Sequence, residues 1–282
     1  MRQAKFSRTA YGVALRRAAH QLFDDPKVLD DPLALRIVGQ KAVETLRPRQ
    51  RGDQSPVARA LRAFIAARSR YAEDQLAVAV DRGIAQYVVL GAGLDTSAYR
   101  SRHAGLRMFE IDHPATQTWK RDCLQAASIT IPPSLTFVPI DFERETLVHG
   151  LQQSGFDLNS PAFFSWLGVT PYLTLEACLA TLAFIARLPS GGGVVFDFII
   201  HRDLLTLRQK LALYAVSRRV AAAGEPFRLF FDPGKLINEL RRVGFTHIET
   251  LDGAEINRRY FRDRTDDLRV SDRLGQIMGA WV

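Results

Sequence analysis

Two glycines and one acid give the chain its first chemical signal. The apolar run Tyr87-Val88-Val89-Leu90 is followed at once by Gly91-Ala92-Gly93-Leu94-Asp95-Thr96. Glycines let the backbone turn tightly and let a ligand approach with no Cβ in the way. The turn follows a first strand, and open α/β sheets bind ligands at the carboxyl ends of their strands. A second apolar run ends in Phe109-Glu110-Ile111-Asp112, which places Asp112 19 residues beyond Gly93. That is the spacing at which a carboxylate meets the ribose hydroxyls of an adenosine moiety. Taken singly, the glycines read as a plain tight turn and Asp112 as a cap for a helix starting at Pro114. Taken together in a strand–turn–helix context, they point to an adenosine-type cofactor.

The next residues bear on its class. A dinucleotide site continues to a third glycine so that the helix packs beneath a pyrophosphate. Here Thr96 stands at that place, and Asp95 puts negative charge where phosphates need the helix start. S-adenosyl-L-methionine has no phosphate and carries a cationic sulfonium. The residues therefore favour a methyl donor, with an NAD-type Rossmann oxidoreductase as the alternative and a non-enzymatic ligand- or nucleic-acid-binding module as the less favoured one.

The elements that must position these residues follow from periodicity. Residues 8–22 and 56–80 have apolar positions at three-to-four spacing, including Leu61, Ile65, Leu76 and Val80, and read as helices. Asp24-Asp25-Pro26 and Asp30-Asp31-Pro32 read as turns or helix starts. From residue 86 onward short apolar runs alternate with helical stretches, the pattern of βα units and a parallel sheet. Strands are expected at 87–90, 107–111, 135–140, 161–166, 194–199, 247–251 and 277–282. Helices are expected at 96–102, 114–127, 175–188 and 233–243, and residues 203–223 read as a helical insertion.

Several stretches together resemble the leucine carboxyl methyltransferase family, above all its bacterial S-adenosylmethionine-dependent O-methyltransferases, which are often linked to polyketide pathways. They are Ser7-Arg8-Thr9-Ala10, 89–96, Tyr99-Arg100, Phe109-Glu110-Ile111-Asp112-His113-Pro114, 164–173 and Asn257-Arg258-Arg259-Tyr260-Phe261. The likeness runs nearly end to end. It implies a class I methyltransferase (Rossmann-like) fold: a seven-stranded, mostly parallel sheet closing on an antiparallel last strand. It also implies roles for residues. Arg68 resembles the arginine that pairs with the donor's methionine carboxylate, with Arg70 as its rival. Gly91 and Gly93 would pass along the methionine part and Asp112 would hold the ribose. Asp141 and Phe142 resemble the pair that binds adenine. The family's eukaryotic carboxyl methyltransferases carry a glutamate where Ser165-Trp166 stands here, so that residue's role does not transfer. Trp166 could offer an aromatic face to the sulfonium or pack in the core.

Methyl transfer from a sulfonium requires alignment and exclusion of water. A carboxylate acceptor needs no general base, whereas a hydroxyl usually does. His201 and His113 are the candidates for such a base, and Tyr172, in the family's retained Tyr172-Leu173 pair, is a further candidate, so the catalytic residues stay unassigned. No Ser/His/Asp set, metal-binding motif or P-loop is present. The expected reaction is O-methylation of a small or medium acceptor.

Composition is ordinary for a globular chain: 282 residues, 47% hydrophobic, 24% charged. Two cysteines without ligand spacing, and no apolar leader in the first ten residues, point to a cytoplasmic location. The net charge of +8 is unevenly placed: residues 1–70 hold 15 Lys/Arg against 6 Asp/Glu, and the remainder 23 against 24. We expect residues 1–80 to form a basic helical lid, joined by the 203–223 insertion, over a catalytic domain of 81–282. Such a lid suits an anionic small-molecule acceptor. Nucleic acid is the less favoured partner, since no recognition signature accompanies the charge. With no apolar run of spanning length, a membrane partner is not expected.

Overall fold

The computed structural model describes residues 7–46, 55–141, 145–222, 224–271 and 274–282. Its sheet has seven strands: β1 (Gln86–Leu90), β2 (Arg107–Asp112), β3 (Leu135–Pro139), β4 (Phe163–Trp166), β5 (Gly193–Ile199), β6 (His247–Leu251) and β7 (Gly275–Trp281). They lie in the order β3-β2-β1-β4-β5-β7-β6. The first five are parallel, and β7 runs antiparallel to both β5 and β6. All seven expected strands are present, with ends displaced by one or two residues.

Buried parallel strands are apolar on both sides, and two cores follow from this. Val88 and Leu90 face one layer with α7 (Leu147–Gln153), α8 (Leu175–Ala186) and α10 (Pro233–Val243). Tyr87 and Val89 face the other, with α4 (Pro56–Asp81) and α11 (Gly253–Tyr260). The inner face of α4 is rich in small residues, Ala63, Ala66, Ala67 and Ala72, which lets the helix lie close on the sheet. Long α4 thus shares its core with the sheet, and starts where Ser55 accepts the Ala58 N–H with Pro56 in the first turn.

Ahead of it lie α1 (Arg8–Phe23), α2 (Leu33–Val38) and α3 (Gln40–Leu46). Between β1 and β2 the expected helix is one turn, α5 (Ser97–Arg100), and α6 (Pro114–Ala126) follows β2. The insertion consists of a 3₁₀ turn at Arg202–Leu204 and α9 (Leu207–Ala222). Helices α2, α3, α7 and α11 were not expected from periodicity. Each has eight residues or fewer, about two turns, too short for a helical repeat to stand out. Among the described residues no helix is long and apolar enough to cross a membrane.

Candidate functional site

Strand order reverses between β1 and β4, and the crevice at such a switch point is where open α/β sheets bind ligands. The glycine turn lies there. Gly91 and Gly93 have φ of 66° and 45°, a left-handed backbone that favours glycine. The Gly91 and Ala92 N–H groups both donate to the Ile111 carbonyl, at 2.8 and 3.0 Å. A Cβ on Gly91 would sit 2.4 Å from a Val169 methyl, and one on Gly93 would sit 3.0 Å from the Ala10 methyl. The turn is thus enclosed by the start of α1 on one side and the loop after β4 on the other.

Asp112 ends β2 beside this turn. Its Oδ2 accepts the Gly93 N–H at 2.6 Å and its Oδ1 the His113 N–H at 2.7 Å. Burial raises the carboxyl above its usual range, and these two bonds oppose the rise. Asp141 stands half-buried just past β3, at the same edge of the sheet; Phe142 lies outside the described residues. Beneath β2, Glu110 is buried against Lys120 at 2.7 Å. Burial lifts its carboxyl to about 7 even with that cation beside it.

Arg68 projects inward from α4 and is 7% exposed. Its Nη1 donates to Asp197 Oδ2 at 2.7 Å, while its Nε is buried with no partner. Asp197 Oδ1 accepts the Gly168 N–H at 2.5 Å. The guanidinium lies under that loop: a Cβ on Gly168 would be 2.8 Å from Nη2. Arg70, the rival, points outward and pairs with Asp74 at 2.7 Å. Asp197 escaped the sequence reading, although a lone acid inside Val194-Val195-Phe196-Asp197-Phe198-Ile199 was a usable signal.

Tyr172 closes the same cluster. Its ring lies 5.5 Å from that of Phe227. Burial raises its hydroxyl pKa, and a hydrogen bond with Thr9 opposes the rise. Thr9 also donates to Glu225, joined by the Ser7 hydroxyl and the Arg8 N–H, each at 3.2 Å. These bonds tie the first turn of α1 to the chain following α9.

Three other candidates have structural placements. Trp166 is buried in the core, its ring 6.4 Å from that of Phe196. His201 is half-exposed and caps the 3₁₀ turn, its Nδ1 accepting the Asp203 N–H at 3.4 Å. His113 is exposed and caps α6 through Nδ1, which accepts the Ala115 N–H at 3.2 Å. No group of three His, Cys, Asp or Glu side chains able to hold a metal occurs among the described residues.

Asp95 and Thr96 have a structural task. Asp95 Oδ1 accepts the Ser97 N–H at 2.7 Å, and its Oδ2 pairs with Arg17 of α1 at 3.3 Å. Arg17 also donates to Asp31 and to the Thr96 hydroxyl, which in turn donates to Asp31 Oδ1 at 2.7 Å. The pair held to oppose a pyrophosphate is the pair that fastens α1 to the glycine turn.

Five parallel strands, an antiparallel seventh between the fifth and sixth, and a glycine crevice at the switch point define the class I methyltransferase fold. The solved structure of a candidate methyltransferase from Thermobifida fusca YX shares it, with TM-score 0.59 at 15% identity over 95% of this chain and 93% of that one. So does a duf574 family protein from Streptomyces avermitilis MA-4680, with TM-score 0.56 at 16% identity over 95% and 96%. The model of the leucine carboxyl methyltransferase family matches residues 10–186, and the chain belongs to that family. Bacillus subtilis (strain 168) YktD, named as a candidate S-adenosyl-L-methionine-dependent methyltransferase, is 30% identical over 98% of both chains. A similarly named protein of Mycolicibacterium gilvum (strain PYR-GCK) is 35% identical over 66% of this chain and 64% of its own length.

Proposed function

We propose that this S-adenosyl-L-methionine-dependent methyltransferase methylates an oxygen of a small or medium acceptor, a carboxylate in preference to a hydroxyl. The observation that carries the reading is Arg68: a buried guanidinium with an unpartnered Nε, under the loop after β4 that also covers the glycine turn. When bound, S-adenosyl-L-methionine supplies a methyl carbon on a cationic sulfur, open to in-line displacement. Arg68 would hold the donor's carboxylate, and the Gly91–Gly93 turn would admit its methionine part. Asp112 would take the ribose hydroxyls and Asp141, with Phe142 next to it, the adenine. The buried Trp166 serves as packing in this reading.

The start of α1 and the chain around α9 form the lid, tied together through Glu225, and exclude water from the acceptor. Residues 1–80 contribute through α1 and Arg68, and residues 81–282 supply the crevice. Tyr172, its pKa raised by burial, keeps its proton at neutral pH and acts as a hydroxyl donor. His113 and His201 both cap helical turns at the surface. A carboxylate needs no base, so these placements favour it as acceptor.

Two measurements test this. Calorimetry should show binding of the donor or its demethylated product, lost with Asp112→Ala and weakened about a hundredfold by Arg68→Met, which removes a buried charge-assisted contact. A screen with labelled donor against carboxylic acids, phenols and alcohols should yield label that mild alkali releases as methanol, the behaviour of an ester. Label stable to alkali would assign a hydroxyl acceptor.

A further inference from the structure

Helix α9 leaves its apolar residues outside. Leu207, Leu211 and Tyr214 recur at helical spacing and are 75%, 63% and 62% exposed. Leu204, in the turn just before, is 50% exposed. Among the described residues, half of the large exposed hydrophobic side chains therefore lie between residues 204 and 214. At about 100° per residue, these three side chains fall on one line along the helix. Arg208 and Lys210, both exposed, fall on either side of that line. Arg218 continues the line, its guanidinium carbon 5.9 Å from the Tyr214 ring centre.

The opposite side fixes the helix. Leu205 and Leu213 are buried in the core on one face of the sheet, so the exposed line cannot turn inward without losing that anchorage. The charge is one-sided as well. From Leu204 to Gly224 the sequence holds four basic residues and no acidic one, and the exposed Asp203 just before it is offset by Arg202 at 3.9 Å. The next acid, Glu225, is engaged by Ser7, Arg8 and Thr9 of α1.

An exposed apolar ridge flanked by cations suits a flat anionic surface. The ridge enters the boundary between headgroups and acyl chains while the cations stay at headgroup level. A second copy of the chain fits poorly, because it would bring two like-charged stripes face to face. We propose that α9 is an interfacial helix through which the protein docks on anionic lipid bilayers, lying on the surface without crossing it. The expectation of no membrane partner rested on the absence of a spanning run, and an interfacial helix needs none.

The test is flotation of the full chain with vesicles of phosphatidylcholine alone and with about one quarter phosphatidylglycerol. The protein should rise with the anionic vesicles only and be released at about 0.5 M salt. Leu207→Ser combined with Leu211→Ser should lower the bound-to-free ratio at least about tenfold by removing buried methylenes. Arg208→Ala with Lys210→Ala should weaken binding similarly. All four side chains are exposed, so circular dichroism should be unchanged. No flotation with anionic vesicles overturns the proposal, and so does binding indifferent to the leucine pair. Equal retention by soluble polyglutamate, or a solution dimer abolished by the leucine pair, overturns it in favour of a protein partner.

Discussion

Arg68 and Asp197 are separated by 129 residues and meet under the loop after β4. One carboxylate does two things there: it neutralises the guanidinium and holds the Gly168 N–H. Thr170 adds a third tie, its hydroxyl donating to the Asp197 carbonyl at 2.6 Å. Removing one member of a buried pair leaves the other charge uncompensated, at a cost of several kcal/mol. Asp197→Asn should therefore destabilise the fold by about 3 kcal/mol in urea unfolding. A loss below about 1 kcal/mol would mean that water reaches the pair. The donor's affinity should fall in the same variant, since Arg68 loses the partner that aims it.

Helix α1 is attached to the crevice by a buried charge network as well as by apolar contact with Leu94. Its Arg17 is 3% exposed and reaches Asp31, Asp95 and Thr96, with Arg100 bonding Asp31 at 3.1 Å from the far side. Arg17→Met keeps the stem and removes the charge, leaving Asp31 with Arg100 alone and Asp95 without its ion-pair partner. It should cost about 3 kcal/mol, and hydrogen exchange at amides of residues 8–23 should accelerate before exchange in the sheet does. Unchanged exchange in α1 would show that Arg17 is not its anchor. At this scale the sequence was informative where elements are long. The β1 to β2 unit, α4 and α6 were legible because an apolar period or a glycine punctuates them. The short helices α2, α3, α7 and α11 were not, although the one-turn α5 was.

Across the molecule the charge has a different distribution from the one the count suggests. Three of the N-terminal arginines, Arg17, Arg62 and Arg68, are buried and paired with Asp31, Asp24 and Asp197. Asp24 and Asp31 are already counted in the +9 of residues 1–70, so of these three pairs only Arg68–Asp197 lowers the charge left to face an acceptor. The internal pairs also set the acid response. Asp95 is held at about 2, against an ordinary value of 3.8, because Arg17, Lys120 and the Ser97 bonds outweigh its burial. Asp24 and Asp31 are lowered as well by their arginine partners, with His20 adding to Arg62 at Asp24. A lowered carboxyl stabilises the fold at pH above its unfolded value, and the contribution is lost as pH falls through the folded value. Asp95 should contribute about 2 kcal/mol that disappears between about pH 4 and pH 2. Thermal melts across that range should fall steeply, and less so in Asp95→Asn.

By itself the sequence determined the succession of strands and helices, the glycine turn after β1, the acid at the end of β2 and the family. Each is written in neighbouring residues, where backbone freedom and apolar period act locally. Tertiary structure alone decided which of Arg68 and Arg70 is buried, that Trp166 packs in the core, and that Asp95 and Thr96 hold α1. It also decided that α9 turns its leucines to solvent. These depend on which distant groups the packed layers bring within a few ångströms, and charge pairing and burial are properties of that proximity.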